Sequence, residues 1–311
     1  MTDSQNSHST DETFENEPTV GVVGVGTMGA PIAERIASAF ETVAFDLDTE
    51  RLESVADAGV VATDDPPDLA RRSDVVLLSL PSSEAVEAAT LGDGGVLAGL
   101  DEHDVLVDTG TTHPETSEAI AAACDEHGVE FLDVPISGGP RNAETGELAA
   151  MAGGDADVLE LIAPVLEAFS DTIHHVGERG AGIAMKLANN YMLAVNSAVV
   201  CEALVMARRA GIDDETFLEV ASNSSGDSYA LRRNVGQFVI PGAYDDPDAD
   251  LPILTKDVTF AEDLGRDLDV PLLVGGETSS VYRLAEDRGL DEYDFAALLA
   301  LYDPDEDVGE S

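Results

Sequence analysis

The stretch that decides the fold is GVVGVGTMG, residues 21–29, in which Gly24, Gly26 and Gly29 form a G-x-G-x-x-G pattern. The run TVGVVG predicts a strand before the turn, and PIAERIASAF predicts a helix after it. Gly24 then makes the tight turn, Gly26 lets the backbone approach a pyrophosphate, and Gly29 allows close helix–strand packing. The N–H groups and dipole at the helix start favour phosphate. The pattern predicts a dinucleotide site; the alternative is a tight turn that holds no ligand.

The second strand indicates which dinucleotide is bound. Its run TVAFD ends at Asp46, 22 residues after Gly24. A dinucleotide fold places at this point the acid that bonds the ribose hydroxyls, and a carboxylate there repels a 2′-phosphate. We therefore predict NAD as the cofactor, with NADP less favoured, and Asp48 could share the role of Asp46. The alternative is an acid that merely ends a strand in a chain rich in Asp.

Strand and helix patterns alternate up to about residue 176, after which only helical periodicity continues. The apolar runs SDVVLLSLP and HDVLVDTG are typical of parallel strands buried on both faces. The alternation predicts an α/β fold, a Rossmann-type doubly wound parallel sheet followed by a smaller all-helical domain. We predict a disordered acidic tail over 1–18, the NAD-binding domain over 19–180, a helical substrate and oligomerisation domain over 181–303, and an acidic tail over 304–311.

The charge balance limits the partners of this protein. There are 63 acidic and 15 basic residues, which gives a net charge of −48, yet 44% of the chain is hydrophobic, so it should fold. Such a field repels nucleic acid and anionic lipid. Lysine is far scarcer than arginine, with two against 13. This bias favours a protein from a salt-loving organism, where salt screens self-repulsion; a plain solvated surface is the alternative.

Several other classes of protein are disfavoured by the sequence. Two isolated cysteines, Cys124 and Cys201, and six histidines without ligand spacing predict neither a disulfide framework nor a metal site. No apolar run approaches 18 residues, so no transmembrane helix is predicted. The polar, acidic N-terminus does not resemble a signal peptide. We expect a cytoplasmic protein with no membrane partner.

The two lysines are Lys186 in AMKLANN and Lys256 in LTKDVTF. Lys186 and Asn190 are four residues apart, which places them on one face of a helix. They follow the glycine-rich GERGAGIA at the predicted domain junction, where substrates usually bind. A lysine beside a nicotinamide could exchange a proton with an alcohol or carbonyl oxygen. An exposed lysine on a helix face is the alternative, which the loss of lysine elsewhere weakens.

Several segments in this order resemble the β-hydroxyacid dehydrogenases, the group of 3-hydroxyisobutyrate dehydrogenases and tartronate semialdehyde reductases, with 6-phosphogluconate dehydrogenase a more distant relative. The resemblance covers about residues 19–302. Its segments are GVVGVGTMGAPIA, the loops SLPSS and VDTGTTHPETS, then DVPISGGPRNAETGEL, GAGIAMKLANN and LTKDVTFA.

The resemblance implies roles for individual residues. Lys186 falls on the catalytic lysine, Asn190 on its substrate-binding partner, and Lys256 on a lysine that reaches the cofactor. Further residues fall on the family's cofactor loops, namely Thr27, Met28, Leu80, Pro81 and Thr111. Ser137, Gly138 and Gly139 fall on the Ser-Gly-Gly that holds the substrate's carboxylate or hydroxyl. Segment 140–142 departs from the family; its Arg141 either adds a cation near the substrate's acid group or is simply exposed.

The resemblance implies an NAD-dependent enzyme that interconverts a small 3-hydroxy acid, similar to 3-hydroxyisobutyrate, and its semialdehyde. Lys186 would act as general acid and base, without a metal, in a homodimer or homotetramer. Three alternatives stay open. One is an NADP(H)-dependent tartronate, glyoxylate or succinic semialdehyde reductase, and a second is an imine reductase, which typically lacks this lysine. The third is a non-catalytic dinucleotide-binding protein on the same scaffold.

Overall fold

The computed structural model describes residues 17–245, 247, 249–306 and 308. The chain divides between Ile183 and Ala184 into two compact units. The acidic tail predicted over residues 1–18 lies outside the described residues except for its last two positions, and the tail predicted over 304–311 is described only in part.

The first unit is built on a mixed sheet whose described strands run in the order β3-β2-β1-β4-β5-β6-β8-β7, with β9 paired to β8. The strands from β3 to β6 in this order are parallel, which confirms the doubly wound prediction. At the other end β8 is antiparallel to β6 and β7 and parallel to β9. The strands are β1 Val20–Val23, β2 Thr42–Phe45, β3 Val61–Ala62, β4 Val75–Leu78, β5 Val105–Asp108, β6 Glu130–Asp133, β7 Ile136–Ser137, β8 Leu148–Gly153 and β9 Ser170–Gly177.

Helices cover both faces of this sheet, because its central strands bury side chains on each side. Val22 and Leu77 lie in one hydrophobic core, and Val23 and Leu78 lie in the other. Polar caps begin several helices; Ser82, for example, accepts a hydrogen bond from the backbone N–H of Ala85. The helices are α1 Gly29–Ala37, α2 Thr49–Val55, α3 Pro66–Ala70, α4 Ser83–Leu91, α5 Pro114–His127, α6 Gly139–Thr145 and α7 Ala156–Glu167.

The regular elements among the described residues of the second unit are helices, joined by turns and loops, and one isolated bridge pairs Asp250 with Asp294. Its core holds a buried ion pair, in which Arg233 donates to both carboxylate oxygens of Asp294 at 2.8 and 2.6 Å. Its helices are α8 Ala181–Arg209, which starts in the first unit, α9 Asp214–Ser222, α10 Tyr229–Arg233, a π-helical turn Asn234–Val239, α11 Leu251–Asp267, α12 Leu273–Asp287 and a 3₁₀ helix Phe295–Leu301.

The long helix α8 is apolar enough to cross a membrane by length and composition, and it is the one helix among the described residues that meets this test. The sequence prediction, which looked for an unbroken apolar run, did not anticipate it. However, Ala194, Cys201 and Leu204 of α8 lie in the hydrophobic core of the second unit. Lys186 and Asn190 are also buried on it. We therefore interpret α8 as a core helix.

Candidate active site

The glycine turn between β1 and α1 has the close packing that its spacing predicts. Gly24 has a φ of +90°, and a Cβ there would lie 2.4 Å from the carbonyl oxygen of Ser79. A Cβ on Gly29 would lie 1.9 Å from the carbonyl oxygen of Gly24. At Gly26 the nearest neighbour of an added Cβ is the end of a flexible side chain, Arg51, at 3.4 Å. Gly24 and Gly29 are thus required by packing, whereas Gly26 leaves its side of the turn open.

The start of α1 fits a phosphate group. Met28 stands at the N-cap position and makes no side-chain cap hydrogen bond, and Thr27 before it is exposed. The first turn of a helix has N–H groups without partners inside the helix, and its dipole favours an anion. The open turn and the uncapped helix together fit the pyrophosphate of a dinucleotide.

Asp46 lies directly after β2 and is fixed against the glycine turn. Its Oδ2 accepts a hydrogen bond from the backbone N–H of Val25 at 2.9 Å, and its Oδ1 accepts one from Asp48 at 2.9 Å. Asp48, which the sequence analysis gave a possible share in this role, caps α2 by accepting a hydrogen bond at Oδ1 from the N–H of Glu50. Asp46 therefore holds its predicted position at the end of the second strand.

Arg51 is a neighbour that the sequence analysis missed. Its Nη1 lies 3.9 Å from Oδ2 of Asp46, and its Nε lies 3.6 Å from Oδ2 of Asp48. An arginine near the ribose position can accommodate the 2′-phosphate of NADP. The corner thus carries both an acid that favours NAD and a cation able to hold a phosphate. The available signal was its place in the first turns of α2, five residues after Asp46.

The other predicted cofactor residues of the first unit lie at the carboxyl edge of the same sheet. Leu80 and Pro81 follow β4, and Thr111 follows β5, the next strand in the sheet. A Cβ on Gly24 would lie 2.9 Å from Cδ2 of Leu80, so Leu80 lies against the glycine turn. Ligands of parallel α/β sheets bind outside this edge.

The predicted substrate segment forms a strand-to-helix turn in the first unit. Ser137 is half-buried at the end of β7, Gly138 precedes α6, and Gly139 is its first residue. Arg141 is exposed on α6. Because β7 pairs with β8, the turn is held by the mixed end of the sheet.

The second unit brings both lysines together around a buried carboxylate. Lys186 and Asn190 lie one turn apart on α8, and Lys186 is only 8% exposed. The Nδ2 of Asn190 donates to Oδ2 of Asp257 on α11 at 2.6 Å. The Nζ of Lys256 lies 3.3 Å from the other oxygen of Asp257, which is 1% exposed. Lys186, Asn190 and Lys256 therefore share one cluster, and Lys186 is not the exposed lysine of the alternative.

Burial sets the protonation behaviour of Lys186. The pKa of its amine is lowered from 10.5 to about 8, first by burial and then by the nearby charge of Lys256, while Asp257 opposes the change. An amine with a pKa near the operating pH can both accept and donate a proton efficiently. The cluster is thus chemically suited to proton transfer at an oxygen.

Asp257 is the second residue that the sequence analysis missed. It follows Lys256 in LTKDVTF, but adjacent residues on a helix point in different directions. Nothing local in the sequence brings it to Asn190, which is 67 positions away. Among the described residues no group of three or more His, Cys, Asp or Glu side chains could hold a metal ion.

Two protein-family models together match most of the chain. Residues 19–177 match the family model described as the NAD binding domain of 6-phosphogluconate dehydrogenase. Residues 180–302 match the model described as NAD-binding of NADP-dependent 3-hydroxyisobutyrate dehydrogenase.

Individual proteins match along nearly their whole length. The 2-(hydroxymethyl)glutarate dehydrogenase of Eubacterium barkeri is 33% identical over 93% of this chain and 96% of its own. The NAD-dependent L-serine dehydrogenase of Pseudomonas aeruginosa is 32% identical over 92% of this chain and 98% of its own. The solved structure of Mycobacterium tuberculosis 3-hydroxyisobutyrate dehydrogenase with L-serine has a TM-score of 0.85 at 27% identity, covering 93% of this chain and 100% of that one.

Proposed function

Because this chain belongs to the β-hydroxyacid dehydrogenase family, and is an NAD(P)-dependent oxidoreductase acting on CH–OH groups, we propose that it oxidises a small 3-hydroxy acid to its semialdehyde, with Lys186 as general base. The observation that carries the proposal is the buried Lys186, whose pKa is lowered to about 8 beside Asn190 and Asp257. A non-catalytic dinucleotide-binding protein would have no use for a buried amine of this kind.

The neutral amine of Lys186 takes the proton of the substrate's hydroxyl as the adjacent carbon loses a hydride. When bound, the nicotinamide supplies the hydride chemistry, which is the cofactor's own. In the reverse direction the ammonium form of Lys186 returns the proton to the aldehyde oxygen. Arginine could not do this, because a guanidinium does not release its proton near neutral pH.

Asn190 is held so that one donor remains for a substrate oxygen. Its Oδ1 accepts from Nδ2 of Asn189 at 3.1 Å, and one Nδ2 hydrogen is donated to Asp257 at 2.6 Å. An amide has two N–H donors, so the second can bond the substrate. Asp257 thus fixes the amide and also attracts the protonated form of Lys186.

The relatives support a particular class of substrate. The named substrates 2-(hydroxymethyl)glutarate and L-serine are both carboxylates with a primary alcohol on the carbon next to the carboxylate-bearing one. We propose the same unit, a 2-substituted 3-hydroxypropanoate such as 3-hydroxyisobutyrate, for this chain. Ser137, Gly138 and Gly139 would bind the carboxylate.

The cofactor we propose is NAD. Asp46 at the end of β2, fixed by Val25 and Asp48, supports this choice because it would repel a 2′-phosphate. Arg51 could bind the 2′-phosphate of NADP, so we expect NAD to be preferred without NADP being fully excluded. The relatives include an NAD-dependent enzyme, whereas the second family model is named for an NADP-dependent one.

Self-association through α8 is also proposed. Met185, Met192, Val199 and Met206 recur every seven residues on α8, and all are exposed, Met206 to 72%. A heptad-spaced apolar stripe is the usual seam between paired helices. Between Met185 and Met206 this face has a single exposed charged residue, Glu202, so in a chain with a charge of −48 it is a surface where a second copy meets little repulsion. Light scattering of Met192→Glu against wild type tests it; an unchanged mass would exclude this seam.

The function is tested by a substrate screen at molar KCl, with NAD and NADP for oxidation of the hydroxy acids and with NADH and NADPH for reduction of the aldehydes. We expect oxidation of 3-hydroxyisobutyrate, L-serine or 2-(hydroxymethyl)glutarate, with a higher kcat/KM for NAD. The relative activities with glycerate, threonate and 3-hydroxypropionate show which substituents on carbon 2 the enzyme accepts. Activity confined to NADPH-linked reduction of glyoxylate, tartronate semialdehyde or succinic semialdehyde would replace this function by the reductase alternative.

A further inference from the structure

A buried carboxylate, separate from the lysine cluster, binds the start of α8, the helix that carries Lys186. Asp133 ends β6 and is fully buried. Its Oδ1 accepts the backbone N–H of Gly180 at 2.7 Å, and its Oδ2 accepts that of Ile183 at 2.8 Å. One side chain therefore binds the residue before α8 and the third residue of α8.

At this contact the backbone of α8 lies very close to the backbone of β6 and β8. A Cβ on Gly182 would lie 2.3 Å from the carbonyl oxygen of Asp133 and 2.4 Å from that of Met151. A Cβ on Gly153, the β8 partner of Asp133, would lie 2.6 Å from the N of Gly182. Two glycines thus let the first turn of α8 lie directly on the ends of β6 and β8. Close packing of this kind allows the helix few alternative positions.

The chemistry of the contact requires a carboxylate. Both partners are N–H donors at the positive end of a helix, and an ionised carboxylate is the side chain that only accepts. Burial and the neighbouring Asp108 raise the pKa of Asp133 to about 6, and the hydrogen bonds from Gly180 and Ile183 act against that rise. Asp133 is accordingly ionised at neutral pH.

We propose that Asp133 is a positioning residue for catalysis, which fixes the first turn of α8 and thereby the placement of Lys186. Lys186 lies three residues after Ile183, and the N–H of a helical residue bonds the carbonyl four residues earlier, here Gly182. The turn bearing the amine is therefore bonded directly to the turn that Asp133 holds. Misplacement of a reacting group by about 1 Å can lower a rate by about 10²-fold. The inference rests on the proposed role of Lys186.

The test is Asp133→Asn with Asp155→Asn as its matched control. Asp155 caps α7 in the same unit by accepting from the N–H groups of Asp157 and Val158, and α7 carries no predicted site residue. Asn keeps the shape but turns one acceptor into a donor, which would face an N–H group. Three quantities are measured at molar KCl: kcat, the Kd of NAD, and hydrogen exchange of the amides of 180–186.

For Asp133→Asn we expect kcat to fall by about tenfold to 10²-fold, faster exchange across 180–186, and a Kd for NAD changed by less than about twofold. For Asp155→Asn we expect wild-type exchange at 180–186 and a nearly unchanged kcat, because asparagine caps a helix about as well as aspartate. Unchanged exchange at 180–186, a kcat within about twofold of wild type, or an equal loss of kcat in both variants would overturn the proposal.

Two further variants keep the test decisive. If Asp133→Asn does not fold, Asp133→Glu takes its place, because it retains the charge but moves it one methylene farther from the backbone. The results expected of Asp133→Asn, and those that would overturn the proposal, are then the same for Asp133→Glu. Lys186→Ala is assayed alongside. If it keeps wild-type activity, the proposed function fails, whereas the exchange of 180–186 in the Asp133 variants still reports whether the carboxylate holds the helix.

Discussion

Replacing Lys186 by methionine should sharply lower turnover and yet stabilise the protein. Burial lowers the pKa of Lys186 from 10.5 to about 8, so keeping the amine charged inside the folded protein is unfavourable. One pKa unit corresponds to about 1.4 kcal/mol, which puts the destabilisation at neutral pH at about 3 kcal/mol. Methionine has a similar length and no charge. Imperfect packing of such a swap usually costs less than about 1.5 kcal/mol, so a net gain should remain.

The gain must depend on pH in a defined direction. The folded pKa lies below the unfolded one, so between pH 8 and 10.5 the unfolded chain binds more protons and wild-type stability rises with pH. The advantage of Lys186→Met should therefore be complete below pH 8 and fade as pH approaches 10.5. Taking the difference in unfolding free energy between the variant and wild type at each pH cancels the contribution of the other titrating groups.

The assay is urea unfolding at fixed molar KCl, followed by circular dichroism because the chain contains no Trp. Lys256→Met is the control: its amine belongs to the same cluster but is 28% exposed and paired with Asp257, so we expect no gain in stability. We also expect kcat of Lys186→Met to fall at least about 10²-fold. A variant less stable than wild type at pH 7, or a difference that is equal at pH 7 and pH 10, would refute the argument.

Three other predictions concern the cofactor, the substrate and salt. Asp46→Ser should narrow the preference for NAD over NADP in kcat/KM, because the carboxylate of Asp46 then no longer repels the 2′-phosphate near Arg51; an unchanged ratio would show that Asp46 does not set the cofactor preference. Asn190→Ala should raise the KM for the hydroxy acid as well as lower kcat, whereas normal kinetics would exclude a substrate contact. Thermal unfolding should move to higher temperature as KCl rises from 0.01 M, where the Debye length is about 30 Å, to molar levels; a flat melting temperature would contradict the halophilic reading of the −48 charge.

The features that could be predicted from the sequence are those encoded locally. The glycine turn at Gly24, Gly26 and Gly29 follows from spacing between a strand and a helix, and the structure shows the packing that spacing requires. The long helix α8 and the shared face of Lys186 and Asn190 follow from helical periodicity.

Long-range features could not be predicted from the sequence in this way. The strand β8, LAAMAG, has no β-branched residue, so its sequence carries little strand signal, and its antiparallel pairing with β7 depends on distant contacts. The hydrogen bond from Asn190 to Asp257 joins residues 67 positions apart. Arg51 has no motif of its own and is placed at the cofactor corner by the start of α2.

The central claim is that Lys186 takes the proton during hydroxy acid oxidation, and the pH dependence of kcat/KM tests it most directly. In this direction the neutral amine is the active form, so kcat/KM of wild type should rise with pH through an apparent pKa of about 8. Lys186→Arg, measured beside it, should keep less than about a hundredth of the rate and lose this rise. A variant that kept more than about a tenth of the rate, well above the loss expected of a missing general base, or that kept the same rise, would contradict the account.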